Sequence, residues 1–369
     1  MPAPETDTVA EARRQMMICN ACRYCEGYCA VFPAMARRRD FPAADLTHLA
    51  NLCHSCRGCF HACQYAPPHA FGVNIPATFA TLRQESYQAA AWPAPMARAF
   101  ERNGTLVALL GASCMAAVLL LAMALVDPRT LYAAQLGQGA FFRVIPMWLM
   151  VALASAGFGY AVLALAMGAR TYLRQTGGAG GVTLRAVLVA MHDVLTLKNL
   201  GGGGHGCNDL DDRFTHTRRW LHQAMAFGFL LCFAATCMGA VYHHLLGWHS
   251  PHPFWSWPVQ LGTWGGVLLC LGTAGTTWVK VNTDPAPIAR RLLGGEYAML
   301  SLLFLVGSTG LLLLSLRHTG AMGVLLALHL GLVLALLLAL PYSKMVHGAY
   351  RSIALLRDAG ERGAPPSLS

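Results

Sequence analysis

The chain has 369 residues, of which 55% are hydrophobic and only 12% charged, with a formal net charge of +10. Soluble domains carry about 25% charged residues, so a wholly soluble chain is excluded. The basic excess does not signal nucleic acid, because no basic stripe interleaved with aromatics accompanies it.

Residues 1–103 are polar, basic and rich in cysteine. The opening MPAPETDTVAEARRQMMIC lacks the apolar segment of a signal peptide, so this domain is expected to stay in the reducing compartment where it is made. Its cysteines then read as metal ligands rather than disulfides. Two blocks, CNACRYCEGYC (19–29) and CHSCRGCFHAC (53–63), each have the spacing C-x2-C-x2-C-x3-C. Three cysteines so spaced wrap one face of a cubane cluster, and the displaced fourth serves the other cluster. Cys19, Cys22, Cys25 and Cys63 are thus expected to hold one [4Fe–4S] cluster, and Cys53, Cys56, Cys59 and Cys29 a second. Paired zinc sites are the alternative, but they favour two C-x2-C pairs over a triple run. The 23 residues between the blocks have helical periodicity, so the domain resembles the helical ferredoxin-like domains of fumarate reductase and heterodisulfide reductase subunits.

A hinge, AAAWPAPMARAF (89–100), leads into apolar runs long enough to cross a hydrocarbon core of roughly 30 Å. Six spans are predicted, at 104–126, 145–167, 222–246, 259–279, 297–316 and 321–341. With the N-terminus inside, 24 of the 27 Lys and Arg residues fall on the cytoplasmic side. Only Arg129, Arg143 and Arg317 lie outside. That bias predicts a multi-pass inner-membrane protein with both termini cytoplasmic. The fold class is therefore all-α: a helical iron–sulfur domain (1–103), a six-span bundle (104–350) with a cytoplasmic loop at 168–221, and a tail (351–369) ending in GAPPSLS. The outer loop GWHSPHPFWSWP (247–258) reads as an interfacial aromatic cap, with a quinone-lining role as the alternative.

The loop GGGGHGC (201–207) is either a flexible linker or a docking surface for the cysteine domain or a flavoprotein. A metal site from His192, His205, Cys207 and His216 is a third reading. Of the remaining cysteines, Cys114, Cys232, Cys237 and Cys270 lie within spans and read as small buried hydrophobes.

Intramembrane ionisable residues are functional by default. Span three carries His222 at its inner end and His243 and His244 at its outer end; span six carries His329, with His347 just past its inner end. Eighteen residues make five helical turns, so an unbroken helix would set His329 and His347 on one face about 27 Å apart. The two spans run in opposite directions. His222 is then expected to meet His347, and His329 to meet His243 or His244, forming a two-level cage for one or two b-type haems. Pro341 lies between the span-six histidines and can kink the helix. No C-x-x-C-H is present, which excludes a covalent c-type haem.

The cysteine blocks, LKNLGGGGHGCNDLDDRFTHTRRWLHQAMAFGFLLCFAATCMGAVYHHLLGW (197–248) and LALHLGLVLALLLALPYSKMVHGAYRSIALLR (326–357) resemble the tricarballylate- and citrate-utilisation protein B family over nearly the whole chain. The span-six H-x17-H with P-Y-S-K is similar, more locally, to the haem subunit of respiratory nitrate reductase. The resemblance implies a membrane electron carrier with two iron–sulfur clusters and b-type haem. It would take electrons from a separate FAD-dependent dehydrogenase, such as tricarballylate dehydrogenase, and pass them to the quinone pool. A homologous module beside a flavoprotein in cobalamin ring oxidation is the alternative role. The chain has no G-x-G-x-x-G flavin fingerprint in a strand–helix context. A transporter with a metal-sensing domain would need acid–base residues within the spans, where only Asp284 and Glu296 lie near the ends.

Overall fold

The computed structural model describes residues 6–101, 103–178 and 181–363. The last six residues of the predicted tail lie outside the described residues. Among the described residues helix accounts for 74% and strand for 1%.

The cysteine domain consists of α1 (Asp7–Cys22), α2 (Val31–Ala36), α3 (Ala43–Leu52), α4 (Gly58–His61) and α5 (Ile75–Ala90). Thr6 caps α1 by accepting from the Val9 amide, and Asn74 caps α5 by accepting from Ala77, each satisfying a donor the first turn leaves open. Met16, Phe32, Met35, Leu46, Leu49 and Phe79 close the core between these helices. The cysteines sit at helix ends and turns around it.

The second half contains α6 (Asn103–Leu125), α7 (Pro128–Tyr132), α8 (Ala140–Val144), α9 (Met147–Gln175), α10 (Leu184–Leu195), α11 (Thr217–His244), α12 (Trp257–Asn282), α13 (Leu293–Leu316), α14 (Met322–Ala339) and α15 (His347–Gly363). A two-residue ladder, β1 (Cys207–Asn208) against β2 (Phe214–Thr215), closes the loop before α11. Among the described residues five helices are long and apolar enough to cross a membrane: 104–125, 147–175, 217–244, 290–316 and 322–342. The predicted fourth span is a helix of 26 residues, but α12 is not among the five. Its Gly, Thr and Trp residues dilute its apolarity, and Gly265, Gly266, Gly272 and Thr273 are buried in packing. A Cβ on Gly228 of α11 would stand 2.5 Å from the Leu269 amide nitrogen of α12, so the two backbones touch where a side chain would separate them. α14 lies innermost, whereas α11 turns Phe227, Leu230 and Phe233 outward. Apolar side chains on the outside are the inverse of a water-soluble helix.

One sequence expectation fails here. His329 and His347 do not share an unbroken helix. α14 stops at Ala339, two tight turns follow at Leu340–Tyr342 and Lys344–Val346, and His347 is the first residue of α15. Pro341 supplies no amide hydrogen, and Ser343 is extended (φ −126°, ψ 178°), with its hydroxyl accepting from the Met345 amide. The five-turn geometry is thereby lost.

α15 then runs back along the cysteine domain. Arg357 pairs with Asp45 at 2.7 Å, Arg38 with Glu361 at 3.0 Å, and Arg37 with the buried Asp358. The glycine loop docks on the same domain. Gly203 has φ +80°, and a Cβ there would lie 2.3 Å from the Gly27 carbonyl and 2.8 Å from that of Tyr28.

Two substitutions test these contacts. Gly228→Val should cost about 1–3 kcal/mol by overpacking the α11–α12 contact. It should lower the unfolding temperature in detergent, while Gly111→Ala, with open space around it, should leave the temperature unchanged. Gly203→Val, barred by both φ and contact, should free the loop and speed its cleavage by added protease. Wild-type cleavage rates would argue against docking.

Candidate functional site

Cys19 and Cys22 lie on the last turn of α1, which Arg23 ends in the left-handed region (φ 54°). Cys25 and Cys29 follow in short turns. In the second block Cys53 caps α3, Ser55 and Arg57 both have positive φ (54° and 66°), and Cys59 sits in α4. Those reversals wrap the chain tightly around its own thiols. Cys19, Cys22, Cys25 and Cys63 line one cavity of about 300 Å³, together with Cys59 of the second block and the apolar Ile18, Phe32 and Val73. Cys29 comes instead to Cys53, Cys56 and Cys59, its thiol hydrogen-bonding that of Cys56. The fourth cysteine of each block thus crosses to the other block's triple.

Burial, with Cys25, Cys63 and Cys22 alongside, pushes the Cys19 thiol up to about 12. Burial and Cys63 do the same to Cys25, also to about 12. Cys59 is raised well above the ordinary thiol value, chiefly by burial. Crowded thiols without a cation resist becoming thiolates, whereas a bound metal centre deprotonates its ligands outright. Among the described residues no three His, Cys, Asp or Glu side chains converge tightly enough for a single ion. A cubane offers one iron to each thiolate and tolerates a wider set. The apolar walls of the cavity and the all-sulfur donor set fit an iron–sulfur cluster.

Three arginines hold the turn between Cys53 and Cys56. Arg83 of α5 donates to the carbonyls of Ala50 (2.9 Å) and Cys53 (3.0 Å) and to the Ser55 hydroxyl (2.9 Å). Arg351 of α15 donates to the Cys53 carbonyl at 2.8 Å. Arg218 of α11 donates to the carbonyls of His54 (3.0 Å) and Ser55. From the glycine loop the Asn208 amide donates to the Cys56 carbonyl at 3.0 Å, and the Cys207 thiol donates to Leu200 at 2.9 Å. The candidate set His192, His205, Cys207 and His216 does not converge among the described residues.

His222 follows Arg218 by one helical turn, and His347 precedes Arg351 by one turn. Their rings approach to 5.9 Å between centroids at 85°. The His347 Nδ1–H donates to the Lys344 carbonyl, which fixes the tautomer and leaves Nε2 as an acceptor. Burial, with Arg351 and His222 beside it, holds the His347 imidazole well below its usual range, in the neutral form that ligates metals. His222 Nδ1 and Arg351 Nε are buried without hydrogen-bond partners among the described residues. Cavities of about 160 and 280 Å³ meet at this pair and share Leu200, Met225, Leu303 and Met345 as apolar walls. Six basic side chains line the smaller one, against the single carboxylate of Glu296. Lys280 and Lys344 both bond that carboxylate. Two imidazoles, apolar walls and a cationic rim fit a bis-histidine haem with carboxylate substituents.

The upper level of the expected cage is not assembled. His329 Nδ1 lies 3.0 Å from the Thr309 hydroxyl and packs on Gly310, where a Cβ would meet the ring at 3.1 Å. Beside it is a cavity of about 290 Å³ that α11 lines with Phe229, Cys232, Phe233 and Thr236, not with His243 or His244. His243 stands seven residues past Thr236, about 10 Å further along the axis. It engages His249 at 3.0 Å, Phe142 and His244 in the outer loop region instead. Facing angles were legible in the sequence; relative depth was not. Sequence reasoning missed Arg218 as a contact of the site; its signal was the four-residue spacing R-x3-H in RRWLH, mirrored by H-x3-R in HGAYR for Arg351.

The family model "Citrate utilization protein B" matches residues 100–367, and its "Fer4-like domain" companion matches residues 12–89. The chain is 43% identical to "Citrate utilization protein B" of Escherichia coli over 97% of its own length and 93% of the relative's. No solved structure matches it. The Fer4-like domain coincides with the two cysteine blocks and gives the chain an iron–sulfur electron-transfer role. On the strength of both family models and the full-length relative, the chain belongs to the citrate utilization protein B family.

Proposed function

We propose that this protein is a membrane-bound electron carrier between a partner FAD-dependent dehydrogenase and the quinone pool. Cys19, Cys22, Cys25 and Cys63 hold one [4Fe–4S] cluster, Cys29, Cys53, Cys56 and Cys59 a second, and His222 with His347 a b-type haem. Bound there, these groups each accept and release one electron at a time. The observation that carries this reading is the paired imidazoles of His222 and His347 opening toward the turn that bears Cys53 and Cys56. The chain's own residues isolate the thiols from water, keep the imidazoles neutral and surround them with cations.

Six spans remain the preferred topology, with α12 carried across by its contact with α11. Both termini lie on the cytoplasmic side of the inner membrane, where the Lys and Arg excess is concentrated. Substrate chemistry belongs to the partner. The family name and the E. coli relative's name favour a tricarboxylate such as citrate or tricarballylate there. A transporter would need a free acid–base group in the bundle, and Glu296 is held between two lysines.

Anaerobically purified protein should carry about eight non-haem irons, four per cubane, with matching sulfide. It should also show the reduced absorption bands of a b-type haem. An iron-free or haem-free preparation would defeat the proposal.

Ligand replacement divides the histidines. His222→Ala and His347→Ala should each abolish haem binding, while His243→Ala and His244→Ala should retain it. His329→Ala should leave the haem-to-protein ratio unchanged; a halved ratio would establish a second haem at the outer level.

A further inference from the structure

The two thiol sets differ in what surrounds them. The set of Cys19, Cys22, Cys25 and Cys63 faces outward, with Met17, Tyr24 and Phe71 exposed at 62, 68 and 46% nearby. In the other set Cys53 and Cys56 are each only 6% exposed. The turn between those two cysteines receives Arg218 at the carbonyls of residues 54 and 55, and Arg351 at the carbonyl of residue 53. Each of these arginines lies one turn from a histidine of the pair, on a different helix: Arg218 and His222 on α11, His347 and Arg351 on α15. Among the described residues no arginine makes an equivalent bridge from the first set to His222 or His347.

We infer that Arg218 and Arg351 are positioning residues that couple the second thiol set to the imidazole pair. Cys29, Cys53, Cys56 and Cys59 then hold the group that delivers electrons to the haem, and the Cys19 set holds the group that receives them from the partner. This rests on the proposed electron-carrier function. The ultimate reductant is the two-electron-reduced flavin of the partner, drawn on one electron at a time. An iron–sulfur group held by Cys29, Cys53, Cys56 and Cys59 would give up one electron and be oxidised, and a haem held by His222 and His347 would take up that electron and be reduced. No bond breaks and no proton moves.

The physical basis is twofold. A guanidinium hydrogen-bonded to the Cys53–Ser55 backbone fixes the distance between that turn and the helix bearing the histidine. Its positive charge also favours the more negative, reduced form of whatever lies on either side, so it raises both potentials together. A purely structural arginine would move stability without moving two potentials in concert.

The test uses the full-length holoprotein. Cys22→Ser and Cys56→Ser each alter one of the two cluster signals in electron paramagnetic resonance and so assign them. Redox titrations are then run on Arg351→Gln and Arg218→Gln. The cluster signal assigned by Cys56→Ser and the haem absorption should both shift to lower potential by about tenfold in the one-electron equilibrium, or 59 mV. The signal assigned by Cys22→Ser should stay put. Arg351→Lys, which keeps the charge, should recover most of the shift. If Arg351→Gln does not hold its cofactors, Arg218→Gln gives the same readout. The inference is overturned if the shift follows the Cys22→Ser signal, or if the haem moves with neither cluster. Wild-type protein without haem or without two clusters would instead defeat the underlying function.

Discussion

The grip of Arg83, Arg218 and Arg351 on one turn of backbone joins the two halves of this molecule. The turn between Cys53 and Cys56 reverses through Ser55 at positive φ, so its carbonyls cannot be satisfied by a helix. Left bare in the interior they would be costly. Charged donors from three helices answer them, at about 1.5–3 kcal/mol for each such bond. The dependence is mutual, since a buried guanidinium also needs acceptors, and here it finds carbonyl dipoles. Because α11 and α15 supply two of the three arginines, the position of the cysteine turn sets the position of His222 and His347.

The same region concentrates positive charge. Arg57, Arg83, Arg218, Lys280, Lys344 and Arg351 line a cavity that contains one carboxylate. Glu296 is nearly enclosed, at 14% side-chain exposure, and two lysines share it, which offsets the cost of burying the anion. The remaining excess of cations is a field that favours acceptance of electrons and of acidic substituents. The salt bridges of α15 with Asp45 and Arg38 work differently. Their side chains are largely buried, so the cost of desolvating both partners offsets much of the attraction, and they chiefly fix orientation.

How much of this could be read in the sequence depended on the range of each interaction. Cysteine spacing is local, and the apolar runs are long enough that five helices of membrane-crossing character follow from composition. α12 falls outside those five in apolarity, and its length alone does not reveal that it meets α11 where Gly228 and Leu269 touch. His243 and His244 were paired with His329 because angular periodicity says which way a residue faces but not how deep a neighbouring helix sits. Pro341 was visible, but the extended Ser343 that begins a new helix at His347 was not. The contacts of Arg218 and Arg351 with the turn span more than a hundred residues of sequence, and no periodicity encodes such a distance.

The glycine loop completes the enclosure. Gly203 rests against the carbonyls of Gly27 and Tyr28, within the first cysteine block, and Asn208 reaches the Cys56 carbonyl in the second. A side chain at residue 203 would hold the loop away from both. Without that contact, Cys207 and the short ladder from Phe214 would not lie beside Cys56. The loop and the arginines therefore both cover the same thiol set, while among the described residues Tyr24 and Met17 stay exposed. The asymmetry between an outward thiol set and an enclosed one thus follows from where a backbone without a Cβ can approach, and from which carbonyls require charged donors.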